Sequence, residues 1–425
     1  MPNPGKILYP YFIVFSLILI NMSLLTGPPD SLLPGLFSIA TSTQFLTTDA
    51  FAVGGLNSAF LNAGILGFYV VLVLKLAKVI PSGASIAAFF LTIGFSFFGK
   101  NIINMWPIIF GVWLYSRLKG EPFRQYVHFG FFGSALAPIV SEMIFPRLFS
   151  ITPQLGIPLS IVVGALLGFL IPSVSALTAT MHKGFNLFNV GLSGGFLGFA
   201  FFAIYKTFVL GPLGLADDFR LNSILSEGFP VFLPVFLFLV FVLTIVTGFI
   251  LNRNSFKNYK ELFLNSGLKA DFTVLYGAAV ALINVGLLGL LFLAYFYIVK
   301  APFNGPAIGG LFSIVSMAGL GSHPRNTLPI MGGYLVTSLF APWSPGTLGI
   351  AVGLCFATGM SPISGRWGYH WGLIAGVIHA AFVTSTAAFH GGFNIYNGGF
   401  TSGLVAIVLI PVLEAFSRAS QSPNR

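Results

Sequence analysis

Apolar runs alternate with short polar connections along nearly the whole chain. Most runs approach the length that a helix needs to cross roughly 30 Å of hydrocarbon at about 1.5 Å per residue. The pattern therefore predicts helices that cross a membrane many times. The predicted segments lie at 7–26, 51–74, 82–98, 102–118, 126–146, 155–178 and 184–207, and then at 229–251, 272–299, 306–320, 327–341, 346–363, 368–388 and 393–416.

The second series of segments repeats the first. With an offset of 222, Asp49 aligns with Asp271, Asn62 with Asn284, and Gly99 with Gly321. With an offset of 208, MHKGFNLFNVGLSGG aligns with FHGGFNIYNGGFTSG. The matched residues are mostly Gly, Asn, Pro and Asp, which a bias toward Leu, Phe and Ile would not align. The sequence thus predicts two repeats, 1–222 and 223–425, that form one transmembrane domain.

One pair of segments in each repeat is short and closely spaced, 82–98 with 102–118 and 306–320 with 327–341. An arm of about 15 residues reaches only ~22 Å, so a re-entrant hairpin fits both pairs. Each repeat then has about five transmembrane helices plus one hairpin, and seven crossing segments are the alternative. Either count is odd, which reverses the second repeat relative to the first. The expected fold class is an all-α polytopic membrane protein with two inverted-topology repeats.

Composition and charge exclude a soluble globular protein, because 56% of the residues are hydrophobic and 7% are charged. The net charge of +10 has a topological explanation. If every segment crosses, 15 of the 20 basic residues fall in connections on the side of the N-terminus, and cytoplasmic loops retain positive charge. We expect a multi-pass protein of the cell (inner) membrane, embedded in the lipid bilayer, with both termini cytoplasmic and no nucleic-acid partner.

Inverted repeats are typical of transporters and channels, because two similar halves enclose a path that either side can reach. The hairpin tips would carry Lys100, Asn101 and Asn104 in one repeat and His323, Arg325 and Asn326 in the other. A basic side chain at the bilayer centre costs roughly 2.5–3.5 kcal/mol. The two cations would therefore border a polar or anionic permeant. The alternative is that both are ordinary loop charges.

Asn-Gly motifs form a second candidate lining for the path. An amide offers a donor and an acceptor without charge, and glycine permits a helix break or close packing. The alternative is that these amides only join helices to one another. The motif residues are Asn62, Asn186, Asn189, Asn284, Asn394 and Asn397.

The remaining polar residues give weaker signals. Asp49 and Asp271 open motif helices and are expected to be N-terminal caps, or else proton or sodium coupling sites. His182 and His390 precede helix starts and are expected at the membrane interface. The single cysteine, Cys355, excludes an intrachain disulfide and a cysteine-based metal cluster. Without a nucleotide-binding, zinc-protease or hydrolase motif, we expect no cofactor, no metal and no enzymatic activity.

Two resemblances follow from these motifs. The duplicated Asn-Gly pattern resembles a bacterial membrane protein family of unknown function over nearly the whole chain. The stretch PISG at 362–365 followed by GFNIYNGG at 392–399, and the weaker PIVS at 138–141 followed by GFNLFNVG at 184–191, are similar to motifs of the urea transporter family. That resemblance implies five crossings plus one hairpin in each of two inverted halves, although the Thr-x-Pro-Phe signature of that family is absent.

The leading functional hypothesis is a transporter or channel for a small polar solute or anion, with the path between the repeats. A channel for a neutral solute predicts amides and no buried charge along the path. An ion-coupled anion carrier predicts that Lys100 and Arg325 contact the permeant. The alternatives are an intramembrane enzyme and an envelope scaffold protein without transport activity. Assembly into a homo-oligomer stays open.

Overall fold

The computed structural model describes residues 3–145, 153–212 and 223–421. Those residues form helices and connections without a strand, and one isolated bridge joins Thr48 to Ile224. The helices of the first repeat are α1 (Gly5–Leu25), α2 (Pro29–Thr41), α3 (Ala50–Leu76), α4 (Gly83–Ser96), α5 (Ile102–Lys119), α6 (Val127–Gly133), α7 (Ala137–Ile144), α8 (Pro153–Met181) and α9 (Asn189–Tyr205).

The second repeat follows the same order, except that two short helices lie between its first long helix and Gly277. Its helices are α10 (Phe232–Leu251), α11 (Tyr259–Leu264), α12 (Phe272–Leu275), α13 (Ala278–Ile298), α14 (Gly305–Ser316), α15 (Pro324–Ser338), α16 (Leu348–Ala357), α17 (Ser361–Trp367), α18 (Tyr369–Thr386) and α19 (Asn397–Gln421). A kink at Gly55 within α3 matches the break at Gly277 between α12 and α13, and both glycines have positive φ.

Ten helical stretches of the described chain are long and apolar enough to cross a membrane, and five fall in each repeat. The predicted polytopic all-α fold is therefore confirmed. The helices α4 and α14 are too short to cross, since 14 and 12 residues reach only about 21 and 18 Å. Nearly every residue of both helices is buried, so they form the centre of the protein.

Each of these central helices is the first arm of a hairpin that returns to the end of the molecule from which it came. In the first repeat, Lys78 beyond α3 and Arg117 near the end of α5 line one surface hollow. In the second repeat, Gly346 beyond α15 lies against the carbonyl group of Val299 at the end of α13. Five crossings plus a hairpin therefore describe each repeat, and the seven-crossing alternative does not fit.

The two central helices pack along each other in opposite directions. Gly83 at the start of α4 lies against the carbonyl group of Gly319 just beyond α14, and Gly305 at the start of α14 lies against that of Phe97 just beyond α4. Since residues 83 and 97 are equivalent to 305 and 319 by the offset of 222, the contact is reciprocal. A two-fold pseudo-symmetry thus relates the hairpins of the two repeats.

Two aspartates reinforce this contact. The Asp49 carboxylate accepts a hydrogen bond from the Phe51 amide of its own helix at 2.8 Å and one from the Gly305 amide of the other repeat at 3.2 Å. The Asp271 carboxylate accepts from Thr273 at 2.9 Å and from Gly83 of the other repeat at 3.0 Å. The predicted capping role is confirmed, and each aspartate caps a helix in both repeats.

A chain of contacts places the start of α1 and the later part of α19, the two described ends of the chain, at one end of the molecule. The Tyr9 hydroxyl donates to the Val79 carbonyl at 2.9 Å, and Asp271 binds the start of α4 there. On the same side, Gly184 lies against Lys269, and Lys183 pairs with Glu414 near the C-terminus at 2.6 Å. Among the residues used to predict orientation, Arg147, Arg220 and Arg425 lie outside the described residues, as does the Arg418 side chain.

We expect Asp49→Ala to lower the free energy of unfolding by about 2–4 kcal/mol, because two helix starts lose a buried charged cap. Asp271→Ala should have a smaller effect, since Asp271 is only half-buried whereas Asp49 is 0% exposed. Thermal melting in detergent measures the change. Asp30→Ala is the matched control, because Asp30 is exposed in the first turn of α2. Equal melting temperatures for Asp49→Ala and Asp30→Ala would contradict the shared-cap role.

Candidate solute path between the two repeats

One membrane-crossing helix in each repeat is broken in its middle. A tight turn at Ser134–Leu136 separates α6 from α7, and the turn Thr358–Met360 separates α16 from α17. A break at membrane depth frees backbone groups that water cannot reach, so the protein itself must satisfy them.

The other repeat supplies the missing partners. The Ile395 amide donates to the Ala135 carbonyl at 3.1 Å, and the Leu187 amide donates to the Gly359 carbonyl at 2.8 Å. The donors lie in the two non-helical Asn-Gly segments, which precede α9 and α19. Each segment therefore reaches into the broken helix of the opposite repeat, and the exchange is symmetric.

The asparagines of these segments strengthen the exchange. Asn186 Nδ2 donates to the Gly399 carbonyl at 3.4 Å, and Asn394 Nδ2 donates to the Gly191 carbonyl at 3.3 Å. Each Oδ1 atom accepts an amide hydrogen bond at 3.0 Å from within its own segment. The structure thus uses Asn186 and Asn394 as connectors between the repeats.

The second asparagine of each segment binds a histidine. His182 Nε2 lies 2.8 Å from Asn189 Oδ1, and His390 Nε2 lies 3.0 Å from Asn397 Oδ1. Both histidines are buried within the protein, and their position at the membrane interface stays a prediction. The chain turns back after each histidine, which brings an asparagine seven residues later within reach of the ring.

Asn62 and Asn284 hold the hairpin tips. Asn62 Nδ2 donates to the carbonyl groups of Ser96 and Lys100, both at 2.9 Å. Asn284 Nδ2 makes the equivalent bonds to Ala318 and Ser322 at 2.9 and 2.8 Å. Each of these buried amides therefore anchors the tip of its own repeat against the middle of the helix that precedes the hairpin.

Asn101 and Asn104 cap the returning arm of the first hairpin. Asn101 Oδ1 accepts from the Asn104 amide at 3.0 Å, and Asn104 Oδ1 accepts from the Asn101 amide at 2.9 Å. In the second hairpin, Asn326 Oδ1 accepts from the His323 amide at 2.9 Å. The structure assigns the asparagines at both tips to helix capping.

Lys100 is 1% exposed. Its Nζ atom donates to the Phe131 carbonyl at 2.9 Å and lies 4.9 Å from the centre of the Phe95 ring. Its counterpart by the offset of 222 is Ser322, whose hydroxyl lies 3.1 Å from that of Ser361. Both side chains tie a tip to the broken helix of its own repeat.

Arg325 has a different environment. It is partly exposed, and its Nε atom donates to the Tyr369 hydroxyl at 3.3 Å. It lines a small polar hollow of about 120 Å³ together with His323 and Asn326. The structure does not bring Lys100 and Arg325 together, so the two cations do not border a shared space.

The space between the repeats is a different cavity, of about 460 Å³. Residues 46, 47 and 98 line it from the first repeat, and residues 343–398 contribute most of the rest. Its polar side-chain groups are hydroxyls, one amide and the Trp343 indole N–H, and none of the described residues that line it is charged. The polar lining residues are Thr47, Ser223, Thr347, Thr384 and Asn397.

Aromatic and aliphatic side chains close the inner end of this cavity. Phe98, Phe356 and Ile395 line it and also belong to a buried cluster drawn from both repeats. In that cluster the Phe95 ring lies 5.2 Å from Phe98 and 6.0 Å from Phe356. The cavity therefore stops at an apolar barrier drawn from both repeats.

Of the residues that line this cavity, the sequence had predicted only Asn397 as part of a solute path. Phe98 and Phe356 are two of 48 phenylalanines, and nothing in the local pattern separates them from the others. Among the described residues, no group of three or more His, Cys, Asp or Glu side chains is placed to hold a metal ion. Hydrogen bonding and exclusion by size are the chemistry that the cavity offers.

Comparison with known proteins identifies the family and no more. The protein family of unknown function DUF1576 matches residues 28–207 and again residues 251–415, one stretch in each repeat. This confirms the predicted membership of an uncharacterised duplicated family. No curated protein and no solved structure matches the chain, so the similarity to urea transporters is not shown. Because the two matched stretches cover most of its length, the chain belongs to the DUF1576 family of proteins of unknown function.

Proposed function

We propose that this protein is an integral membrane transporter or channel for a small neutral polar solute, and that it is not an enzyme. The observation that carries the proposal is the cavity of about 460 Å³ between the repeats. It ends at an apolar barrier built by both repeats, as a closed permeation path would. Hydrophobic constrictions are a recognised way to close such a path.

The arrangement of the repeats supports transport. Equivalent central helices run antiparallel, and each repeat has five candidate crossings. We infer an inverted topology in the membrane, with the pseudo-two-fold axis in the membrane plane. Transporters of this kind bind solute near the midplane, at the interface of the repeats. The barrier around Phe98 and Phe356 lies at that interface.

The lining favours a neutral solute over an anion. Charged permeants need charged or strongly polar partners along a low-dielectric path. The cavity offers hydroxyls and the Trp343 indole N–H, while the Asn397 amide is bonded to His390 and Val383. Lys100 is occupied by the Phe131 carbonyl, and Asp49 and Asp271 cap helices. A channel-like route without proton or sodium coupling fits these contacts better than a coupled anion carrier.

We place the protein in the cell (inner) membrane, with the termini on the cytoplasmic side. Lys78, Arg117 and Lys183 lie at the end of the molecule that holds the termini, as positively charged cytoplasmic loops do. The cavity would then open to the opposite side. Assembly into a homo-oligomer stays a prediction.

We expect Gly349→Trp to block the path. Gly349 lines the cavity, and a Cβ added there meets no atom within 4 Å, so the indole ring fills space without displacing the backbone. Flux of urea and glycerol into proteoliposomes, followed by light scattering, should fall more than about tenfold.

Gly332→Trp is the matched control for the blocked path. Gly332 also has room for a Cβ, with only Leu373 at 4.0 Å, and it lies on α15 away from the cavity. Its flux should equal that of the unchanged protein. Equal flux through Gly349→Trp and Gly332→Trp would reject the cavity as the path.

Thiol labelling tests which cation meets water. In a Cys355→Ser background, Arg325→Cys should react with a membrane-impermeant maleimide from the side of the termini, and Thr347→Cys from the opposite side. Lys100→Cys should stay unlabelled from both sides, because residue 100 is enclosed. Labelling of Lys100→Cys in sealed vesicles would instead favour a wet path along the first hairpin and an anionic permeant.

A further inference from the structure

The polar hollow at the tip of the second hairpin is separate from the cavity between the repeats and lies at the end of the molecule that holds the termini. It is bounded by the start of α15, the residues just after α11, and the junction of α17 with α18. Its volume of about 120 Å³ suits a ligand of a few atoms. The lining residues are Leu264, Asn265, His323, Arg325, Asn326, Ser364, Gly365, Gly368 and Tyr369.

The hollow is electropositive. Arg325 contributes a full charge, and the 15-residue helix α15 begins there with its positive dipole end. None of the described lining residues is acidic, and the one ion pair between described side chains joins Lys183 to Glu414 elsewhere. This environment favours an anion.

His323 supplies an independent observation. It is 1% exposed, and its Nε2 atom lies 2.8 Å from the Asn265 carbonyl oxygen. A carbonyl oxygen only accepts, so Nε2 carries the hydrogen and Nδ1 of the neutral ring is an acceptor. Within the described part of the chain, Nδ1 is buried, faces the Asn326 amide at the start of α15, and makes no hydrogen bond of normal geometry. Such an atom costs free energy unless a ligand or water donates to it.

The first repeat has no such site. Asn101 stands at the position equivalent to His323, and its side chain accepts from the amides of Ile103 and Asn104 and donates to the carbonyl group of Ile39. Lys100, beside it, is enclosed by Phe131 and Phe95. The unpaired acceptor and the accessible cation therefore occur together only at the second tip.

We propose that the second hairpin tip binds a small oxyanion that keeps an acidic hydroxyl group, such as hydrogen phosphate. Arg325 and the start of α15 receive the negative oxygens, and the hydroxyl group donates to His323 Nδ1. The anion would brace the second hairpin at its tip. The site does not depend on which solute uses the path.

Calorimetric titration of the purified protein with inorganic phosphate at neutral pH tests the proposal. We expect saturable binding that is stronger for phosphate than for sulfate, because sulfate has no hydroxyl group to donate. Arg325→Gln should weaken phosphate binding more than about tenfold, whereas Arg366→Gln, a nearby exposed arginine outside the lining, should leave it unchanged. No saturable binding of phosphate, or equal losses in both variants, would overturn the site.

His323→Asn isolates the acceptor. Asparagine stands at this position in the first repeat, so the variant should keep its fold, which the melting temperature checks. We expect it to bind phosphate and sulfate equally. If it keeps the preference for phosphate, the role of Nδ1 is wrong.

A lipid phosphomonoester presents the same chemistry as free phosphate. Titration in nanodiscs distinguishes the two sources. If phosphatidic acid in the disc suppresses phosphate binding while phosphatidylcholine does not, the headgroup reaches the site. If neither lipid suppresses it, free phosphate is the ligand, and the proposal holds in both cases.

Discussion

The fold depends on one constraint, that backbone groups at membrane depth find partners within the protein. Two crossing helices break in their middle, and each break frees carbonyl groups. Leu187 and Ile395, each in the Asn-Gly segment of the opposite repeat, supply the donors. Neither repeat satisfies its own broken helix alone, so the two repeats form one inseparable unit.

The same principle assigns most polar residues of the interior. Asp49 and Asp271 cap helices in both repeats, and Asn186 and Asn394 bridge the repeats. A polar group buried without a partner costs more than a hydrogen bond returns, which explains why these side chains are fully engaged. The cavity between the repeats is correspondingly left with hydroxyls, one amide, one indole N–H and apolar walls.

The repeats are alike in their framework and different in their tips. Lys100 is equivalent by the pseudo-symmetry to Ser322, and Asn101 is equivalent to His323. In the first repeat, Lys100 and Asn101 make hydrogen bonds within the protein. In the second repeat an unpaired nitrogen and a partly exposed arginine remain at the surface of a hollow. The asymmetry separates a structural hairpin from one that can hold a ligand.

The sequence by itself determined the polytopic all-α class and the duplication, and it favoured hairpins and capping aspartates without excluding seven crossings or ion-coupling sites. These follow from periodicity, length and local spacing, which act over a few residues. Only the tertiary structure decided that Lys100 is enclosed, that His182 and His390 are buried, and that Phe98 and Phe356 close the cavity. Those outcomes depend on contacts between residues up to some 200 positions apart in the chain, and local sequence patterns do not specify which distant groups will meet.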